Sequence, residues 1–298
     1  MRYLDPKNDL VFKKIFGQHP HLLRSLLNGL LPLKEGQEIA SLEYLPSDLV
    51  PEVPALKYSI VDVRCTDNHG RQFIVEMQML WTDSFKYRVL FNASKAYVKQ
   101  LERGSKYKGL KPVYALSLVN ENYEHDTDQY YHHYAMTHSQ LTHKRIEGLE
   151  LIFVELPKFK AKNLTEKKLQ VLWLRYLTEI EEHTEHPPED LQAIPEIKEA
   201  IEQLAESAFT QAELDAYDKY WDSISSERTL IAEAEETGLV KGRAEGKEEG
   251  RKEGRAAGIQ LARQIIKLHQ AGVPSHEIAE QVGITEAEAV EILTEMGQ

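Results

Sequence analysis

Apolar and polar positions alternate along two adjacent runs, Tyr58–Thr66 (YSIVDVRCT) and Arg71–Met79 (RQFIVEMQM). That period, with Val, Ile and Phe enriched, predicts two β-strands, and the Asp67-Asn68-His69-Gly70 break predicts the turn of a hairpin. Upstream, Asp5-Pro6 reads as the cap and first position of a helix reaching about Gly17, and His21–Leu31 as a second helix. Glu38–Leu45 alternates as a strand. Ser84–Gly104 has helical spacing and closes on Gly104. Pro112–Val119 and Leu149–Leu156 are nearly continuous apolar runs, as expected of strands buried inside a sheet. After Pro157 the strand pattern stops. Leu164–Ile180, Pro195–Phe209 and Ala212–Ile224 read as helices, with a polar break at Glu181–Asp190.

The hairpin carries acids that a purely structural strand disfavours: Asp62 inside IVDV and Glu76 inside VEMQ. If Asn68-His69-Gly70 is a three-residue loop, paired residue numbers sum to 138 and Asp62 lies opposite Glu76, Cβ atoms about 5 Å apart. Gly70 supplies the left-handed residue such a loop needs. An even-numbered loop would turn the acids to opposite faces. Two carboxylates among aliphatic neighbours repel each other and lose hydration, a cost that a bound cation removes. A solvent-facing pair of acids is the plain alternative. Gln78 shares the face of Glu76, whereas Phe73, Val75, Met77 and Met79 point the other way. Cys65 falls opposite Asp62 and reads as a small core residue.

Asp followed by Glu-x-Gln on the next strand, together with DPKNDLVFKKIFG (Asp5–Gly17) and RGSKYKGLKPVYALSL (Arg103–Leu118), resembles the recombination-promoting nuclease and transposase family of PD-(D/E)XK proteins. The resemblance runs through nearly the whole chain. It implies a restriction-endonuclease-like α/β fold, a mixed-sheet core flanked by helices, followed by an all-α C-terminal extension. The expected divisions are 1–160 for the nuclease-like domain, 161–235 for a helical region and 236–298 for a glycine-repeat helix with a small terminal element. It also implies a Mg²⁺ site, with Mn²⁺ as substitute, formed by Asp62, Glu76 and the backbone carbonyl of Met77, with Asp9 as a further site acid. For Asp9, a first-turn acid favoured by the helix dipole is the competing reading. Gln78 stands where many PD-(D/E)XK proteins have Lys. It could hold the attacking water but, being neutral, cannot act as a general base.

Composition narrows the classes. One cysteine excludes an internal disulfide framework and fits a reducing cytoplasm. No run reaches the length of a membrane span. The net charge of −12 hides an asymmetry: residues 1–120 hold 17 Lys and Arg against 12 Asp and Glu, and residues 121–298 hold 19 against 36. The candidate site therefore lies in the positive part, which gives mild support to a DNA partner, while a net of +5 over 120 residues is also ordinary. Arg88 and Lys95, near the site end of their helix, are the candidates for the DNA backbone, while Lys99 and Arg103 read as a solvated face. His132, His133, His138 and His143 match no zinc spacing and read as incidental to a polar strand or loop.

In the tail, Gly238, Gly242, Gly246, Gly250, Gly254 and Gly258 recur every four residues. They line one slowly turning ridge, which fits a self-association helix and a homo-oligomer, or a solvated connector. Val273–Leu293 has a helix-turn-helix look, but Glu286, Glu288, Glu291 and Glu295 on its second helix would repel phosphates, which favours packing or assembly. The reading is a cytoplasmic, metal-dependent DNA endonuclease associated with recombination and mobile DNA. The rivals are a catalytically inactive DNA-binding or assembly protein of the same fold and a scaffold built on the acidic helices.

Overall fold

Asn8 starts the first helix. Its side-chain carbonyl accepts the backbone N–H groups of Leu10 and Val11, leaving the expected cap, Asp5, to accept Lys7 N–H in the preceding turn. The computed structural model describes residues 2–49, 59–101, 106–161 and 168–295. Helix α1 (Asp9–Gln18) buries Val11, Phe12, Ile15 and Phe16, one face at helical spacing, and α2 (Pro20–Leu30) follows with a leucine-rich buried face.

Strands β1 (Leu42–Tyr44), β2 (Asp48–Leu49), β3 (Ser59–Ile60), β4 (Val63–Asp67) and β5 (Gln72–Gln78) come next. The hairpin has the expected register: Val63 pairs with Val75, Arg64 with Ile74, Cys65 with Phe73 and Thr66 with Gln72. Gly70 has φ 78° and donates its N–H to Asp67 O, closing the three-residue loop. The expected strand Tyr58–Thr66 is broken at Val61-Asp62. Ser59–Ile60 pairs instead with β2 in a separate two-stranded sheet, and Tyr58 lies outside the described residues.

Helix α3 (Asp83–Val98) leads to β6 (Val113–Val119). It ends at Val98, short of the expected Gly104; Arg103 and Gly104 lie outside the described residues. Strands β7 (Tyr131–Thr137) and β8 (Arg145–Glu155) complete a six-stranded mixed sheet of order β1-β4-β5-β6-β8-β7, in which β5, β6 and β8 run parallel. The strand expected over Glu38–Leu45 is only three residues long.

Side chains alternate across the sheet. Phe73, Val75, Leu116 and Val154 face one core shared with α1, α2, α4 (Lys168–Glu179), α5 (Pro195–Gln203) and Tyr217 at the start of α6 (Gln211–Gln270). Ile74, Ala115 and Phe153 face a second core filled by Phe85, Val89, Ala93 and Ala96 of α3. The result is an α/β/α sandwich, as expected, and the helices after residue 161 contribute to the first core. Cys65 is buried there, its thiol pushed up to about 12 by burial.

The chain divides into two units, Met1–Ser226 and Glu227–Gln298. The helix expected over Ala212–Ile224 and the glycine repeat are one 60-residue helix, α6. In the second unit α7 (Ser275–Val282) ends on Gly283 at φ 75°, and α8 (Glu286–Glu295) begins with Thr285 and Glu288 exchanging hydrogen bonds as a capping box. Pro274 holds the cap position of α7. Among the described residues, no helix is long and apolar enough to cross a membrane.

Candidate active site

Asp62 is placed by the point at which β4 leaves the sheet. Asp67 N–H donates to Arg71 O, so hydrogen-bonded pairs in this hairpin recur every second residue, through Cys65/Phe73 and Val63/Val75. The next would be Val61/Met77. Val61 instead gives its N–H to Ser47 O, and the ladder stops. The Met77 N–H left over is taken by the Asp62 carboxylate, Oδ2 at 2.7 Å. The same alternation turns the Met77 carbonyl to this side of β5, where its ladder partner is missing. Asp62 therefore reaches β5 beside Glu76, as the register predicts.

Glu76 points from β5 under α3, on the face of Ile74. Only 6% of it is exposed. Its Oε1 accepts from Asn92 Nδ2 at 3.2 Å, while Oε2 is buried with no partner. Burial, then the neighbouring Asp62 charge, pushes the Glu76 carboxyl up to about 7. Burial also raises Asp62, against the opposing pull of Lys13 and the Met77 N–H.

Asp9, the first residue of α1, joins through Lys13. The Lys13 ammonium lies 2.7 Å from Asp9 Oδ1 and 3.4 Å from Asp62 Oδ1. Burial alone would lower the Lys13 pKa; the two carboxylates outweigh it and raise it. Gln78 is engaged at both ends: Oε1 accepts from Arg88 Nη2 at 2.7 Å, and Nε2 donates to Leu80 O at 2.5 Å. One lone pair of Oε1 is left for a water. Arg88 thus meets the site directly and helps draw the Glu76 pKa down. Lys95, about two turns further along α3, lies over the Phe91 ring at 5.2 Å.

Sequence reasoning did not single out Lys13 or Asn92 as site residues. Signals existed for both. Lys13 stands four residues after Asp9 on one helix face, and Asn92 is a polar residue within the apolar stripe Phe85, Val89, Ala93 and Ala96.

The donor set suits a hard cation. Among the described residues no three His, Cys, Asp or Glu side chains are grouped to hold a metal. Two carboxylates with backbone and water oxygens match the preference of Mg²⁺, which keeps several waters. The orphaned Oε2 of Glu76 fits as well, because a buried carboxylate oxygen without a partner costs about 1–3 kcal/mol or more.

A family model described as PD-(D/E)XK nuclease family transposase matches residues 6–234. The chain belongs to that family. No curated protein and no solved structure gives a significant match. Membership in the PD-(D/E)XK family associates the chain with nucleases of mobile DNA, which typically use divalent metals.

Glu76 makes this PD-(D/E)XK protein sensitive to pH in a defined direction. Its folded pKa of about 7 stands above the ordinary 4.5, so between those values the folded state binds more protons than the unfolded state. The resulting stability is present at low pH and lost as pH rises through the window. In chelator, Glu76→Gln should become more stable than the parent by about 2 kcal/mol on moving from pH 5 to pH 7.5. Urea unfolding at the two pH values checks this, and a pH-independent difference would contradict the assignment.

Proposed function

We propose that the chain is a metal-dependent DNA endonuclease that hydrolyses phosphodiester bonds. The observation that carries this is the meeting of Asp62, anchored on Met77 N–H, with the unsatisfied carboxylate of Glu76. Asp62, Glu76 and the Met77 carbonyl would hold Mg²⁺ or Mn²⁺. When bound, the cation neutralises phosphate charge and activates water. Asp9 and Lys13 set the charge beside Asp62, and Arg88, hydrogen-bonded to the neutral Gln78, sets it beside Glu76.

Lys13 supplies the positive charge that the last motif position, Gln78, lacks. Its ammonium is tied to Asp9 and Asp62, so it stands beside the carboxylates that would hold the cation. Arg88 and Lys95 extend positive charge along α3 for the DNA backbone. Gln78 also sustains a second reading, a DNA-binding or assembly protein without catalysis. Its amide is committed to Arg88 and Leu80, which leaves little of it for the attacking water.

Self-association is assigned to the glycine repeat. A Cβ built on any of Gly238, Gly242, Gly246, Gly250, Gly254 or Gly258 meets nothing within 4 Å, so this ridge is open to a second backbone. Leu239, Val240 and Ile259 on the same helix are exposed apolar residues.

Supercoiled plasmid should be nicked with Mg²⁺ or Mn²⁺ and left intact in chelator, and Asp62→Ala should abolish nicking while circular dichroism stays unchanged. Nicking by Asp62→Ala at the parental rate removes the hydrolytic reading; DNA retention without cleavage by the parent establishes the inactive one. Lys13→Met should slow nicking about a hundredfold, the scale of losing one charged stabilising group. Mn²⁺ affinity, measured by titration calorimetry, should not weaken, because both carboxylates remain. A parallel loss of metal binding would show that Lys13 only organises the acids. Replacing Gly242, Gly246 and Gly250 together by Leu favours the helix but blocks close approach. Light scattering should then report a smaller assembly than the parent; an unchanged mass would assign the ridge to a solvated connector.

A further inference from the structure

A basic cavity of about 480 Å³ opens at the other end of the sheet, where the parallel strands begin. Its most constrained cation is Arg71, the residue that closes the hairpin turn. The Arg71 side chain is 10% exposed, and its Nε donates to Asp67 Oδ2 at 2.7 Å. Asp67 Oδ1 already takes the backbone N–H groups of His69 and Arg71, and the carboxylate is fully buried. Asp67 thus fixes the plane of the guanidinium without serving its far end. Nη2 is left buried with no acceptor. A charged N–H donor in that state is unfavourable unless a ligand oxygen completes it.

Lys111 is held beside it. The Gln100 side-chain amide donates to Lys111 O at 3.0 Å and accepts Lys111 N–H at 2.9 Å, which clamps the backbone. Gly70 brings the turn so close that an added Cβ would lie 3.3 Å from Lys111 Cγ. Lys34 and Arg145 complete the basic wall. Two glutamates also line the cavity. Glu150 is engaged by His133 at 2.5 Å and by Arg145 at 2.7 Å, leaving Glu147 against the remaining cations. His133, on β7, thus hydrogen-bonds a carboxylate of this cavity.

We propose that this cavity binds a phosphate group, with the Arg71 guanidinium and Lys111 Nζ as its principal donors. Arg71 and Arg145 are each paired with a carboxylate, so Lys34 and Lys111 against Glu147 leave the hollow with an excess of positive charge that an anion would neutralise. The planar guanidinium matches phosphate oxygens, and Lys111 adds a mobile point charge. The site needs no metal and does not rest on the hydrolytic reading; a protein with no nuclease activity would still bind phosphate here.

Thermal unfolding of the full chain in chelator, titrated with inorganic phosphate against chloride at constant ionic strength, tests the proposal. Phosphate should raise the melting temperature. Lys111→Gln, at an exposed position, should weaken phosphate binding about tenfold, and Arg71→Gln more. Competition by a 5′-phosphorylated oligonucleotide, absent for its unphosphorylated form, would place the phosphate on DNA. Failure to compete would make a small phosphate compound the occupant, and either result supports the site. No phosphate-dependent shift in the parent, or an equal shift in parent and Lys111→Gln, overturns it. Should Arg71→Gln not fold, Lys111→Gln decides alone.

Discussion

The site depends on one hydrogen bond, from the backbone N–H of Met77 to the carboxylate of Asp62. It exists because β4 leaves the ladder one pair early. Had Val61 stayed in register, its carbonyl would have taken that N–H, and Asp62 would have been an ordinary residue of a continuous strand. The departure of Val61 toward Ser47 makes a side-chain carboxylate do the work of a backbone acceptor. An acid held by the strand itself has little freedom left, which is what a binding centre built from few ligands requires.

Two buried carboxylates toward the same end of the sheet show how structure and site differ. Glu155 is fully buried and fully served: Tyr123 N–H reaches one oxygen, and His132 and Lys158 reach the other. Nothing further is needed there. Glu76 receives one long hydrogen bond from Asn92 and keeps an oxygen without a partner. Burial therefore raises the proton affinity of Glu76, and a positive charge brought to Oε2 relieves the same deficit. Lys13 relieves it only in part, since its ammonium is committed to Asp9 and Asp62.

Hairpin chemistry serves both ends of β5. Asp67 and Gly70 close the turn, and through Asp67 they orient Arg71 over the basic cavity. The registered pairs that follow carry the strand to Glu76. A single local element thus carries Arg71 at one end and Glu76 at the other, separated by the buried stretch Phe73, Ile74 and Val75. That apolar stretch keeps the two charged regions from neutralising each other directly.

Much of this was legible in the amino-acid order. The three-residue loop and the strand period forced Asp62 and Glu76 toward each other, because a period of two leaves only one register that does so. The continuous apolar runs of β6 and β8 marked the parallel centre of the sheet. Element ends were less legible: Asp5 and Asn8 are both good caps, and both hydrogen-bond Tyr217, but Asn8 takes the helix N–H groups while Asp5 takes that of Lys7. The break at Val61 left no trace in the alternation, since an apolar residue suits either a ladder or a turn toward Ser47. Lys13 meeting Asp62, and Asn92 meeting Glu76, join residues far apart in the chain. Local sequence determined which residues share a face. Tertiary packing decided which faces meet, because contacts between α1, α3 and the sheet follow from burying two apolar cores at once, a constraint that no single segment carries.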